Sequence, residues 1–243
     1  MTLGLFDPAF LGGLVTTPAG PTDPDFANVS LLLHGDGTNG STTIVDSSPT
    51  PKTVTAFGNA QISTAQSKFG EASIAFDGSG DYLLLGGQLD FAFELLDFTI
   101  ECFYYPITAG GGNFGNIIDT RAAGENISLG RLAIYHSNGL VLVFLSPAGV
   151  LVTSVLSTLQ WHHVAVSRSS GVTRLFLDGV QVGANLTDNT NYGVGAARPV
   201  IGNNLNFNAG LNGYIDEFRI TKGVARYTSN FTPPTAPFPE VLG

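Results

Sequence analysis

Apolar and polar positions alternate along this chain in short bursts, each closed by glycine, proline, asparagine, aspartate or serine. The clearest burst is WHHVAVSRSSGVTRLFLDGVQV, Trp161 to Val182. There Asp178-Gly179 separates Leu175-Phe176-Leu177 from Val180-Gln181-Val182. A two-residue Asp-Gly loop between alternating residues predicts a hairpin, because a type I′ turn needs positive φ at both central positions. Ahead of it, Trp161 to Val166 is rich in aromatic and β-branched residues and ends at the turn cluster Ser167 to Gly171. The stretch therefore predicts three consecutive antiparallel strands.

The same punctuation predicts strands over Val29 to His34, Thr43 to Asp46, Lys52 to Phe57, Ser73 to Phe76, Asp81 to Leu85, Phe98 to Pro106 and Asn116 to Asp119. More occur at Arg131 to His136, Leu140 to Leu145, Val150 to Val155, Pro199 to Gly202 and Gly213 to Ile220, with a polar loop over Asn185 to Arg198. About a dozen short strands at a spacing of roughly 8–12 residues predict an all-β sandwich. No window sustains a helical period; the best is Leu89 to Leu96.

Composition agrees. In 243 residues, 43% are hydrophobic and only 12% charged, with 31 Gly and 13 Pro to serve as turns. A net charge of −9 with ten Lys and Arg leaves no basic patch for nucleic-acid phosphates. The single cysteine, Cys102, excludes an internal disulfide and lies in an apolar strand, where it reads as a small core residue. No uninterrupted apolar run approaches the ~20 residues of a membrane span, and the N-terminus MTLGLFDPAFLGGL lacks the basic region of a secretory signal.

Residues 1–28 differ from the rest: they carry Leu3, Leu5, Phe6, Phe10, Leu11 and Leu14 among four prolines and no basic residue. Such a segment is too apolar for a solvated tail. It reads as an extended arm that packs on its own domain or anchors the chain on another subunit or protein. The proline-rich close, Thr232 to Pro239 and on through the tail 235–243, predicts an extended run over the surface.

The ordered motifs LLLHGDG (31–37), FDGSGDYL (76–83), FTIECFYYP (98–106), WHHVAVSR (161–168), LFLDGVQV (175–182) and GYIDEFRITKGVARYTSNFTPP (213–234) resemble the laminin-G-like, concanavalin A-like jelly-roll domains. The closing run is most similar to versions found in bacteriophage structural proteins. The resemblance spans about residues 29–234. It implies a two-sheet antiparallel jelly roll of twelve to fourteen strands with the first and last side by side. It implies little about function, because such domains bind sugars, bind proteins or build surfaces.

Some proteins of this fold are glycoside hydrolases, which need two carboxylates on one strand face. Here Glu94 and Asp97 sit at odd spacing before the strand that holds Glu101, and Asp216 and Glu217 are adjacent, so neither set presents a pair. His162 and His163 point to opposite faces of one strand and read as packing residues. No Gly-x-Ser-x-Gly occurs, and Gly110-Gly111-Gly112 lacks the Lys-Ser/Thr of a phosphate loop. In several relatives a calcium ion pins the first strand to the last. The matching positions are Asp36 and Asp216, with Asp77 and Asp81 as a second carboxylate pair; the alternative is that these aspartates only make turns. Sugar-binding candidates are Tyr192, Asn203, Asn204, Asn206 and Phe207, from polar loops that carry an aromatic.

The expectation is a non-enzymatic virion surface protein of a bacteriophage, a capsid decoration or tail component. It would be homo-oligomeric, anchored on other virion proteins through residues 1–28, and would need no cofactor beyond a structural calcium ion if one is held. The alternative is a carbohydrate-binding module for surface glycans, with a glycoside hydrolase behind both.

Overall fold

The computed structural model describes residues 21–108, 114–137, 139–204, 206 and 208–241. The arm residues Leu3, Leu5, Phe6, Phe10, Leu11 and Leu14, and the candidate Phe207, lie outside the described residues. Among the described residues the regular structure is strand with a few 3-10 turns. The strands are β1 (Val29–Leu33), β2 (Val54–Phe57), β3 (Gln61–Ser63), β4 (Ser73–Asp77), β5 (Tyr82–Leu85), β6 (Phe98–Pro106), β7 (Gly115–Asp119) and β8 (Ala133–Ser137). They continue with β9 (Val141–Ser146), β10 (Gly149–Val155), β11 (His162–Ser169), β12 (Val172–Leu177), β13 (Val180–Thr187), β14 (Val200–Ile201) and β15 (Asn212–Lys222). The alternation that predicts the strands thus places nearly all of them. The exceptions are local. β3 is not predicted, Thr43 forms only an isolated bridge with Thr55, β11 and β13 run on to Ser169 and Thr187 into the expected turn and loop, and Leu89 falls in a short 3-10 turn.

Two antiparallel sheets face each other. One has eight strands in the order β13-β12-β11-β6-β15-β4-β3, with β1 also on β15; the other has seven, β10-β9-β8-β7-β14-β5-β2. The first and last strands lie side by side, as the resemblance implies. They meet because β15 is long and kinked. Asn212 to Ile215 pair with β4, Phe218 to Thr221 pair with β1, and a bulge between Asp216 and Arg219 separates the two halves. Glu217 sits in that bulge at φ 50°, where the extra residue re-aims the side chains.

Residues of alternate parity fill the space between the sheets. Ile100, Cys102 and Tyr104 of β6, Val164 and Val166 of β11, and Ile215 of β15 meet Ile134 of β8 and Leu142 and Phe144 of β9. Cys102 is buried there, and burial pushes its thiol well above the ordinary range.

The outer face of the eight-stranded sheet is half covered by two flanking segments, 21–28 and 227–241. Phe26 and Phe238 pack on Val29 and Leu32, so β1 is buried on both faces. Asp23 pairs with Arg219 and Arg226, and its N–H donates to the Val241 carbonyl at 2.8 Å. Residues 21–28, placed with the arm by sequence, therefore pack on the domain, and Phe238 holds the proline-rich close against it.

Candidate functional site

The outer face of the seven-stranded sheet is open. On β8, Ile134 and His136 point into the core, the His136 ring lying 3.0 Å from the Tyr104 hydroxyl. Tyr135 must therefore point out. Asn116 of β7 stands opposite Tyr135 in register, and Val143 of β9 flanks it on the other side. Around this row lies a cleft of about 420 Å³, lined by Phe114, Asn116, Arg121, Tyr135, Leu145 and Asn204, with Asn208 and Ala209 at its rim.

Aromatic and polar groups divide the cleft. Phe114 is 41% exposed and stands 6.3 Å from Tyr135, tilted 58°. Opposite, the 203–209 loop is fixed by its own side chains. Asn203 donates to the Asp81 carbonyl and accepts from Ala209 N–H, while the Asn116 N–H holds Ala209 O at 3.2 Å. Asn204 accepts from the N–H groups of Asn206 and Asn208 and donates to Asn208 Oδ1 at 2.7 Å. Arg121 is gripped by Asp119 through Nε–Oδ1 at 3.0 Å and Nη2–Oδ2 at 2.6 Å. Its charge is thus largely answered within the protein. Burial pushes the Tyr135 phenol up, so it is a neutral donor at physiological pH.

One buried atom of the cleft lining lacks a partner among the described residues. Asn116 is only 3% exposed, and its Oδ1 accepts no hydrogen bond among the described residues. A buried acceptor left unpaired costs about 1–3 kcal/mol. Asn116 lines the cleft, with this oxygen itself buried behind the cleft wall.

The residues singled out by sequence divide. Asn204 lines the cleft and Asn206 shapes its loop. Asn203 is buried and serves the loop alone. Tyr192, expected at a rim, turns inward at 1% exposure. Its backbone bridges Glu94, its hydroxyl donates to Asp188 Oδ2 at 2.7 Å, and its ring meets Phe98 edge-on. Bridging its backbone to Glu94 at the sheet margin carries the side chain into the core.

Of the carboxylates considered for hydrolysis, Glu101 and Glu217 are engaged within the protein. Glu101 is bound by Arg219, His163 and Tyr227, and Glu217 by His34 and the Phe238 N–H. His162 and His163 have separate partners, Asp178 and Glu101. Asp81 is buried and accepts from Asn59 N–H and Asp77 N–H, while Asp77 stays exposed, so they make a turn and no shared ligand pair.

The Asp36–Asp216 corner is different. Asp216 Oδ2 accepts from the N–H groups of Lys68 and Phe69, but its buried Oδ1 has no partner among the described residues. Burial pushes the carboxyl up to about 7, with Glu217 and Asp36 adding to the effect. An orphaned oxygen in an acidic corner fits a cation. Among the described residues, however, no three His, Cys, Asp or Glu side chains converge. A calcium ion here would take its remaining ligands from carbonyls or water.

The fold is a lectin-like jelly-roll sandwich. Residues 77–226 match the Laminin_G_3 family, the concanavalin A-like lectin/glucanases superfamily, and the chain belongs to it. Among solved structures, the receptor binding domain of botulinum neurotoxin D is similar at TM-score 0.58 and 14% identity, over 82% of this chain and 50% of that one. The binding domain of Paraclostridial Mosquitocidal Protein 1 gives 0.58 and 16%, over 82% and 50%. Domain 4 of AbnA, an extracellular GH43 arabinanase from Geobacillus stearothermophilus solved with arabinotriose, gives 0.54 and 16%, over 82% of this chain and 94% of that domain. The chain spans about half the length of the toxin domains. At such identities the likeness establishes the fold alone. No curated protein sequence matches the chain.

The cleft residues Phe114, Asn116, Arg121 and Tyr135 are absent from the sequence-level candidates. A signal exists in Asn116, the polar opening of an otherwise apolar strand run, but its pairing with Tyr135 is visible only in the register.

Proposed function

We propose that this is a non-enzymatic carbohydrate-binding domain whose ligand occupies the cleft on the seven-stranded sheet. The observation that carries this reading is the preformed hollow that sets the rings of Phe114 and Tyr135 beside the amide residues Asn116, Asn204 and Asn208. Sugar sites combine an aromatic face for the C–H side of a ring with amides for its hydroxyls. The bound arabinotriose of the similar arabinanase domain lends support from outside the chain. The test is calorimetric titration of the full chain with arabinotriose and a panel of neutral oligosaccharides. Micromolar to millimolar binding is expected, weakened roughly tenfold or more, about 1.4 kcal/mol, by Asn116→Ala or Phe114→Ala. Asn116→Ala should leave Tm at or above that of the parent, because it removes a buried unpaired acceptor. If no sugar in the panel binds, or if Asn116→Ala binds as the parent does, the cleft is not the site.

The setting we propose is the surface of a bacteriophage virion, with the domain displayed outward and residues preceding Pro21 attached to capsid or tail proteins. This reading draws on the apolar composition of Leu3 to Leu14 and on the phage-like closing motif. Light scattering of the full chain beside a 21–243 chain checks the arm: a discrete oligomer reduced to a monomer is expected, and identical masses would count against it.

A further inference from the structure

A second hollow lies on the opposite sheet. Aromatic side chains run across the outer face of the eight-stranded sheet, and the chain covers only part of the row. Phe103 meets Phe69 edge-on, while His163 and Phe176 pack under the stacked pair Tyr227 and Phe231. Past that cover the row continues as Trp161, Tyr105 and Tyr214, with ring centroids 5.4 and 5.9 Å apart. These three are half-buried and, among the described residues, have aromatic contacts only with one another.

Strand register opens a space at the end of this row. Tyr214 stands between Tyr105 of β6 and Ala75 of β4, and Ala75 stands opposite Gln61 of β3. The single methyl of Ala75 leaves a gap in the row. The gap is a hollow of about 430 Å³, with Tyr214 on one side and Gln61, Asn59, Asp77 and Asn212 around the other. Asp77 is held in place by Asn59 Nδ2 at 2.9 Å and Ser79 N–H at 2.8 Å, which leaves lone pairs facing outward. The Gln61 and Asn212 side-chain amides have no hydrogen bond among the described residues.

We infer that this hollow is a second carbohydrate subsite, taking a neutral sugar whose ring lies against Tyr214 and whose hydroxyls meet Asn59, Gln61, Asp77 and Asn212, the glycan running on along Tyr105 toward Trp161. An apolar protein partner would leave the amides and the carboxylate unpaired, which costs more than the small aromatic patch returns. Sugar hydroxyls both donate and accept, so one ligand satisfies carboxylate and amides together. The lining has one carboxylate and no basic residue, so uronic or sialic acids are repelled. The subsite does not depend on the cleft. With both filled, each face of the sandwich holds glycan, and multivalent attachment gains avidity.

Trp161 is the sole tryptophan, so its emission reports on this row and not on the cleft. The full chain and a Phe114→Ala, Asn116→Ala variant are titrated with arabinotriose and cellotriose, following both heat and tryptophan emission, with trigalacturonate as the acidic control. The expected result is a saturable emission change that persists in the cleft variant. It weakens roughly tenfold or more in Tyr214→Ala and in Gln61→Ala, the latter a half-exposed edge-strand residue whose loss leaves the fold intact, and it is absent with trigalacturonate. Heat without any emission change would mean binding at the cleft alone and would overturn the second subsite while leaving the first. An emission change lost in the cleft variant, or unaltered by Gln61→Ala, would also overturn it. No heat and no emission change with either neutral sugar would reject both.

Discussion

At the scale of single residues, the charged groups under the flanking segments decide stability. Burial alone would raise the Glu101 carboxyl, but the Arg219 guanidinium, His163 and the Tyr227 hydroxyl outweigh it and hold the group at about 2. A depressed carboxylate pKa stabilises the fold above its unfolded value near 4.5, and that stabilisation is lost as pH falls toward about 2. Glu101→Gln is expected to lose about 3–5 kcal/mol at pH 7, since it takes away the carboxylate shared by Arg219, His163 and Tyr227 and leaves Arg219 with Asp23 alone. The gap between parent and variant should close between pH 4.5 and 2 in denaturant melts; a gap independent of pH would remove the ionic account. Asp216 carries the other residue-scale expectation. A structural calcium ion between Asp36 and Asp216 is a proposal tested by melting with calcium or with chelator. Calcium should raise Tm by roughly 2–4 °C per kcal/mol of binding, and Asp216→Asn should raise the chelated Tm and abolish the response. An unchanged Tm in calcium would leave the two carboxylates as loop and turn ligands only.

Among the elements, the hairpin of β12 and β13 does more than reverse the chain. Asp178 and Gly179 adopt φ 51° and 79°, as the Asp-Gly signal requires. The turn then becomes a dock for the C-terminal run, because Phe231 N–H donates to Gly179 O and Gln181 N–H to Asn230 Oδ1. A Cβ on Gly179 would strike the Phe231 carbonyl, whereas one on Gly124, also at positive φ, would meet nothing. Gly124→Ala should cost about 1–2 kcal/mol of backbone strain alone. Gly179→Ala should cost clearly more and speed amide exchange at Tyr227 and Phe231, measured by hydrogen exchange. Equal losses would mean that the run does not rest on the turn. The hairpin was legible because two adjacent residues encode it; its second duty was not, because Asn230 and Phe231 are some fifty residues away.

For the whole molecule, the division between legible and hidden tracks range. Alternation along the chain showed where the strands other than β3 lie, and the resemblance carried by the ordered motifs implied two sheets with β1 beside β15. Neither could show which half of a sheet face the chain would cover with its flanking segments. That depends on Asp23 reaching Arg219 and Arg226, across nearly two hundred residues. Tyr192 illustrates the limit: an aromatic in an asparagine-rich loop reads as a sugar contact until its bridge to Glu94 turns it inward. Tyr105, Trp161 and Tyr214 illustrate the converse, since strand residues that nothing in the sequence singles out become a continuous surface once register sets them abreast. The bond from Asp23 N–H to Val241 O has a geometric corollary. A fold that is entered and left at the same point is topologically a closed ring with one gap. It can be spliced into a loop of a larger host without prising that loop apart, and its order of strands can be rotated by bridging Asp23 to Val241 and cutting at an open turn such as Gly124.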